Sequence, residues 1–222
     1  MLKVIFFDAG NTLVFPDHSL TLAPLVERGI VVDSAHLAAA ERAARRFRDA
    51  VPAEHLSPNT DREYWIIYFR ELLGPAAEHE LIHELVPLSQ TSGNWRLVRP
   101  GTREALLALK QHYRLAVISN SDGRMANLLT AVGLGDCFES VTDSSKVGFQ
   151  KPHPGIFHAA LATAAVEPQE AVYVGDIYSI DYLGATAVGM KAILMDSYGT
   201  YAENGLPRIT NLSELESLLA KM

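Results

Sequence analysis

The feature that most constrains this chain is its opening run, MLKVIFFDAGNTLV, in which an apolar stretch ends on a carboxylate. Val4 to Phe7 has the pattern of a buried strand, and Asp8 follows it directly. Gly10, Asn11 and Thr12 then suit a tight turn in which backbone groups can approach a ligand. Open α/β sheets place their chemistry at the carboxyl ends of buried strands. A strand that ends on Asp8 therefore fixes a fold class and a place to look for function.

The remainder of the chain has two textures. From about residue 102 onward, short β-rich runs at 115–119 (LAVIS), 138–141, 172–175 (VYVG) and 192–195 alternate with helical patterns at 103–112, 123–132, 155–165 and 180–188. A closing helix is expected at 213–219. Such alternation implies βαβ units around a mostly parallel sheet. Residues 15 to 95 instead read as helices at 20–28, 34–51, 61–73 and 77–86, punctuated by Pro52, Pro58, Gly74, Pro75 and Pro87. No strand pattern appears there, so this stretch reads as a helical insertion after the first strand, with hinges at 15–17 and 96–101.

Composition narrows the function classes. The apolar content of 48% and charged content of 20% are those of a soluble globular protein. A net charge of -7 disfavours a nucleic-acid partner, which prefers a basic stripe. The single cysteine, Cys137, allows no internal disulfide and reads as a packing residue. No secretory signal and no apolar run of the roughly 20 residues that span a bilayer is found, so a cytoplasmic location without membrane contact is expected.

Four polar features fall where the expected strands end: Asp8; Ser119 with Asn120; Lys151 in KPHPGIF; and Gly175–Asp176 with Asp181 in VYVGDIYSID. Each alone is weak, because a Ser or Asp after a strand commonly caps the next helix. Together they describe one site. Asp8 and Asp176 would repel each other unless a cation lay between them, and a hard divalent ion such as Mg²⁺ suits oxygen ligands, including the Gly10 carbonyl. Lys151 offsets charge on a phosphate and on Asp8, while Ser119 and Asn120 donate to phosphoryl oxygens. Asp181 orients a metal-bound water. Asp8 is then placed for nucleophilic attack on phosphorus.

These motifs resemble the haloacid dehalogenase-like hydrolase superfamily, in the subgroup with a helical cap between the first and second motifs. The resemblance runs through DAGNTL, the Ser after LAVIS, KPHPGIF and VGDIYSIDYLGATAVGM, essentially the whole chain. It implies an α/β fold, with a Rossmann-like parallel-sheet core (1–14 and 97–222) and an inserted α-helical cap (15–96). It also implies Mg²⁺, an aspartyl-phosphate on Asp8, catalytic Lys151, phosphate contacts from Thr12, Ser119, Asn120 and Lys151, and a metal set of Asp8, Gly10, Asp176 and Asp181. The expected partner is a small phosphorylated metabolite.

One position departs from the family pattern. Its phosphatases usually carry a second Asp two residues after the nucleophile, which protonates the leaving group and later activates water; here Gly10 stands there. Positioned acid–base catalysis contributes about 10²–10⁴-fold, so turnover depends on the leaving group or on a substitute such as Asp17, His18 or Asp122. Two rival readings stay open: a metal-independent 2-haloacid dehalogenase-type hydrolase, and a non-catalytic phospho-ligand-binding or interaction protein. The Asp176/Asp181 pair favours metal-dependent phosphoryl chemistry over the first.

Three further patterns have simpler explanations. His79-Glu-Leu-Ile-His83 matches the HExxH zinc-protease pattern, but Pro87 is expected to end its helix and no third ligand follows. The aromatic group Tyr64, Trp65, Tyr68 and Phe69 reads as helix packing, and Arg42, Arg45, Arg46 and Arg48 as a solvated helix face.

Overall fold

The computed structural model describes all 222 residues and divides them into two compact units. One comprises Met1–Phe15, Arg96–Ser197 and Tyr201–Met222; the other comprises Pro16–Trp95 with Tyr198–Thr200.

The first unit is an α/β layer structure built on six strands: β1 (Val4–Phe7), β2 (Arg114–Ser119), β3 (Ser140–Asp143), β4 (Ala171–Gly175), β5 (Lys191–Met195) and β6 (Arg208–Ile209). All are parallel, in the order β3-β2-β1-β4-β5-β6. β1 is central and wholly buried, which is why it reads as an unbroken apolar run rather than an alternating one. The strand order reverses between β1 and β4, the crevice where open α/β sheets bind ligands. One face packs Phe6, Ile118, Tyr173, Ile156 and Phe157 into a common core.

Several boundaries differ from the sequence pattern for physical reasons. The third strand runs Ser140–Asp143 rather than 138–141, because backbone pairing with β2 sets its register at Ala116↔Ser140 through Ser119↔Asp143. Phe138 instead packs its ring edge-on to Phe7, 6.1 Å between centroids. The expected helix at 180–188 begins as a wide π-type turn, Tyr178–Tyr182, and becomes α-helical only at Leu183–Ala187. β6 is two residues long and too short to carry a hydrophobic pattern.

In the second unit, helix Ser34–Ala50 is opened by Asp33, whose carboxylate accepts from the N–H groups of Ala35 and His36 at 2.9 Å each. Helix Pro58–Leu73 starts earlier than its apolar pattern, since Ser57 and Thr60 form a capping box and Pro58 sits in the first turn, where its missing N–H costs nothing. Pro87 does not stop the next helix, which continues from His79 to Gln90. The expected helix at 20–28 is two short pieces, His18–Thr21 and Ala23–Glu27, with Pro24 opening the second. Tyr64, Tyr68 and Phe69 are buried and Trp65 makes edge contacts with Tyr64 and Tyr68, so the aromatic group packs the helices together.

The arginine run is not uniformly a solvated face. Arg45 is wholly buried, with the Glu41 carboxylate at 3.5 Å and the Tyr198 ring centroid 5.0 Å from its guanidinium carbon. Arg42 donates to the Tyr198 carbonyl at 3.1 Å. The buried stripe Ala40, Glu41, Ala44 and Arg45 follows helical spacing, so tertiary packing, not residue polarity, chose the inner face. No helix is long and apolar enough to cross a membrane.

Candidate active site

Asp8 leaves the end of β1 with its N–H bonded to the Val174 carbonyl at 2.8 Å, which lays it beside the end of β4. The turn after it closes by three N–H groups, of Thr12, Leu13 and Val14, on the Ala9 carbonyl. Asn11 takes a left-handed backbone there (φ 52°), a conformation Asn tolerates better than most residues. Thr12 is buried and its hydroxyl has no partner within the protein. Ser119 is buried as the last residue of β2.

Lys151 joins these strand ends. Its ammonium donates to Asp8 Oδ1 at 2.5 Å, Asp181 Oδ1 at 2.7 Å and the Tyr173 hydroxyl at 2.8 Å, using all three N–H bonds. Asp181 is equally committed: Oδ1 also accepts from Tyr173 at 3.0 Å, and Oδ2 accepts from the N–H groups of Asp176 and Ile177 at 3.0 Å each. Asn120 holds Lys151 from behind. Its amide oxygen accepts from the Lys151 N–H at 2.7 Å and its amide nitrogen donates to the Lys151 carbonyl at 3.0 Å.

Electrostatics follow from burial. Desolvation pushes the Asp8 carboxyl up to about 6, the Lys151 ammonium opposing the rise and the Asp181 charge adding to it. Burial alone would lower the Lys151 ammonium, but Asp181 and Asp8 outweigh it and hold it above its ordinary value, firmly charged. Burial and Asp181 drive the Tyr173 phenol well above its usual range, so it stays a neutral donor. Asp8, Asp176 and Asp181 bring carboxylate oxygens within 4.8 Å of one another. Three buried carboxylates against one ammonium leave excess negative charge, and an all-oxygen donor set of this kind fits a hard divalent cation.

Two residues escaped the sequence pattern. Tyr173 looked like one more apolar strand residue; a polar-tipped aromatic inside an otherwise aliphatic strand was the available signal. Asp143 also ends a strand, once β3 is placed correctly, and binds Ser121 Oγ at 2.5 Å and Gly123 N–H at 3.0 Å to shape the loop after β2. Two of the three expected substitutes for an acid–base group are otherwise engaged. Asp122 is chelated by Arg124, and Asp17 caps its helix through Ser19. Burial lowers the His18 imidazole from its usual value. At the HExxH pattern, His79 and His83 place their Nε2 atoms 3.0 Å apart, and Arg62 Nη2 lies 2.8 Å from His83 Nδ1, its positive charge opposing a cation there.

A family model for haloacid dehalogenase-like hydrolases matches residues 2–189. The chain belongs to the haloacid dehalogenase-like hydrolase family. A relative in Methanothermobacter thermautotrophicus named glyceraldehyde 3-phosphate phosphatase is 32% identical over 231 residues, covering 99% of this chain and 100% of that one. Haloacid dehalogenase-like hydrolase domain-containing protein 3 of Xenopus laevis is 34% identical over 206 residues, covering 87% and 84%. Among solved structures, a 2-haloacid dehalogenase from Pseudomonas syringae pv. tomato DC3000 superposes with a TM-score of 0.59 at 26% identity, over 100% of this chain and 99% of that one.

Within this hydrolase the close packing of the site is itself testable. A Cβ on Gly175 would lie 2.5 Å from Asp181 Cγ, in a strand that cannot yield. Gly175→Ala is expected to displace Asp181 from Lys151 and to lower the thermal unfolding midpoint sharply, a loss of about 1–3 kcal/mol or more from overpacking. Tyr173→Phe keeps the packing but strands one Lys151 N–H and removes a donor 3.2 Å from the Ile118 carbonyl. Denaturant titration should show a loss of about 1–3 kcal/mol with unchanged m-value.

Proposed function

We propose that this hydrolase is a Mg²⁺-dependent phosphatase of small phosphorylated metabolites. The observation that carries the reading is the charge of the buried site: Asp8, Asp176 and Asp181 against Lys151 alone. That excess suits a divalent cation, which would balance the carboxylates and offer its charge to the oxygens of a phosphoryl group. A dehalogenase has no comparable use for Asp176. The name of the Methanothermobacter relative supports the phosphatase reading; that of the Pseudomonas structure favours the rival.

Asp8 and Asp176, with the Gly10 carbonyl, are the proposed cation ligands. Bound there, Mg²⁺ would supply charge to phosphoryl oxygens and lower the repulsion that an anionic substrate meets at Asp8. Asp8 is the proposed nucleophile. Being a carboxylate it needs no base to activate it, and Lys151 holds one of its oxygens fixed while the other meets phosphorus. Asp181 is assigned as a positioning residue, since its four accepted hydrogen bonds tie Lys151 to the Asp176 turn. Thr12 is assigned to a phosphoryl oxygen, because a buried hydroxyl without a protein partner costs about 1–3 kcal/mol until something bonds it. Ser119 is assigned the same role, and Asn120 a role through Lys151. The helical unit is the proposed cap that selects the substrate's variable part.

A panel of phosphorylated metabolites assayed with and without Mg²⁺, for wild type and Asp8→Asn, tests the reading. Phosphate release that needs both Mg²⁺ and Asp8 supports it. Release that persists in Asp8→Asn, or halide release from 2-haloacids without metal, refutes it.

A further inference from the structure

We infer that this site is selective for activated phosphates, acyl and aryl phosphates whose leaving oxygen departs without a proton, over alkyl phosphomonoesters. The inference rests on the phosphatase reading above and deepens it. Its basis is that the titratable side chains gathered around Asp8 are all committed. Lys151 has its three N–H bonds on Asp8, Asp181 and Tyr173. Asp181 accepts four hydrogen bonds, from Lys151, Tyr173 and the N–H groups of Asp176 and Ile177. The Tyr173 hydroxyl is buried beneath Lys151, within 3.2 Å of the Ile118 carbonyl. Asp8 is the attacking group, Asp176 is assigned to the cation, and Gly10 has no side chain. Asp122, exposed in the loop after β2, is held by Arg124 at 2.5 Å.

The two half-reactions feel this differently. In the first, an Asp8 oxygen bonds to phosphorus while the P–O bond to the leaving group breaks and its electron pair departs on that oxygen. A carboxylate oxygen leaves readily, its acid having a pKa of about 4, and a phenolate with a pKa of about 10 less so. An alkoxide is about as basic as hydroxide and needs a proton that none of these groups delivers. In the second, a water oxygen bonds to phosphorus, its proton passes to a phosphoryl oxygen or solvent, and the P–O pair returns to the Asp8 carboxylate. Phosphoryl transfer passes through a loose transition state in which the entering oxygen is little bonded. That step therefore tolerates a missing base, and its leaving group is always a carboxylate. The penalty falls on the first step, and only for basic leaving groups.

The experiment measures kcat/KM with saturating Mg²⁺ on acetyl phosphate, a series of substituted phenyl phosphates and glycerol phosphate. The expected result is a steady fall with leaving-group basicity, glycerol phosphate lying at least about 10²-fold below acetyl phosphate. Gly10→Asp, which restores an acid, should raise the glycerol phosphate rate selectively and flatten the series; if that variant does not fold, the wild-type series decides alone. A flat wild-type series would overturn the inference, as would one that His18→Gln makes steep, since His18 would then be the donor. Failure of the phosphatase reading looks different: no phosphate from any member, and no labelling of Asp8 by radiolabelled acetyl phosphate.

Discussion

Replacing Lys151 by Met is expected to cost the metal-free protein about 3–5 kcal/mol, the loss typical when one partner of a buried ion pair is removed. The ammonium is buried and satisfies Asp8 and Asp181 at once, with the Tyr173 hydroxyl as its third partner. Methionine fills much of the space but leaves two carboxylates facing each other without a countercharge. They will respond by taking up a proton, so the deficit should shrink in acid. Denaturant titrations of both proteins at neutral and mildly acidic pH check this. A loss that does not change with pH would mean that packing, not charge, is what Lys151 contributes. Phosphatase turnover should fall with the substitution even where Mg²⁺ restores the fold, because Asp8 loses the group that orients it.

The second expectation runs in the opposite direction for stability. Burial raises the Asp8 carboxyl from 3.8 to about 6. A carboxyl raised in the folded state contributes its stability below the unfolded value, and that stability is lost as pH climbs through the folded one. Keeping Asp8 ionised at neutral pH therefore carries a stability cost in the metal-free protein. Asp8→Asn removes that cost. At neutral pH without metal the variant should melt above wild type, and the gap should close as pH falls from about 6 towards 4, where wild-type Asp8 takes its proton. Added Mg²⁺ should reverse the order, since a ligand of the native state stabilises only the protein that binds it. The same variant should release no phosphate. A more stable but inactive protein is the expected mark of a residue kept for chemistry. Equal melting with and without Mg²⁺ for both proteins would contradict the cation assignment.

Much of this protein was legible in its sequence because its central strands are short and buried. VIFF, LAVIS and VYVG each announce a strand, and each is followed by polar residues that have no reason to sit there except at the sheet's carboxyl edge. The parallel α/β architecture follows from their alternation with helical patterns. Asp8, Lys151, Asp176 and Asp181 were nameable because chemistry restricts which residue types can occupy such positions.

Other features depended on long-range packing. Ser140–Asp143 lies on the sheet's edge, where hydrogen bonding to β2 rather than apolar content sets the register, so Asp143 was not visible as a strand end. Arg45 carries the charge of a surface residue, yet Glu41 and the distant Tyr198 bury it. Pro87 was expected to end its helix, yet the helix runs through it from His79 to Gln90. Tyr173 and Asn120 reveal their roles only through what they touch: a phenol under the Lys151 ammonium and an amide against the Lys151 backbone, 22 and 31 residues away along the chain. Residue chemistry and local period can be read from a string of letters. Which partner satisfies a buried charge cannot, because that is settled by chain segments that meet only when the sheet has formed.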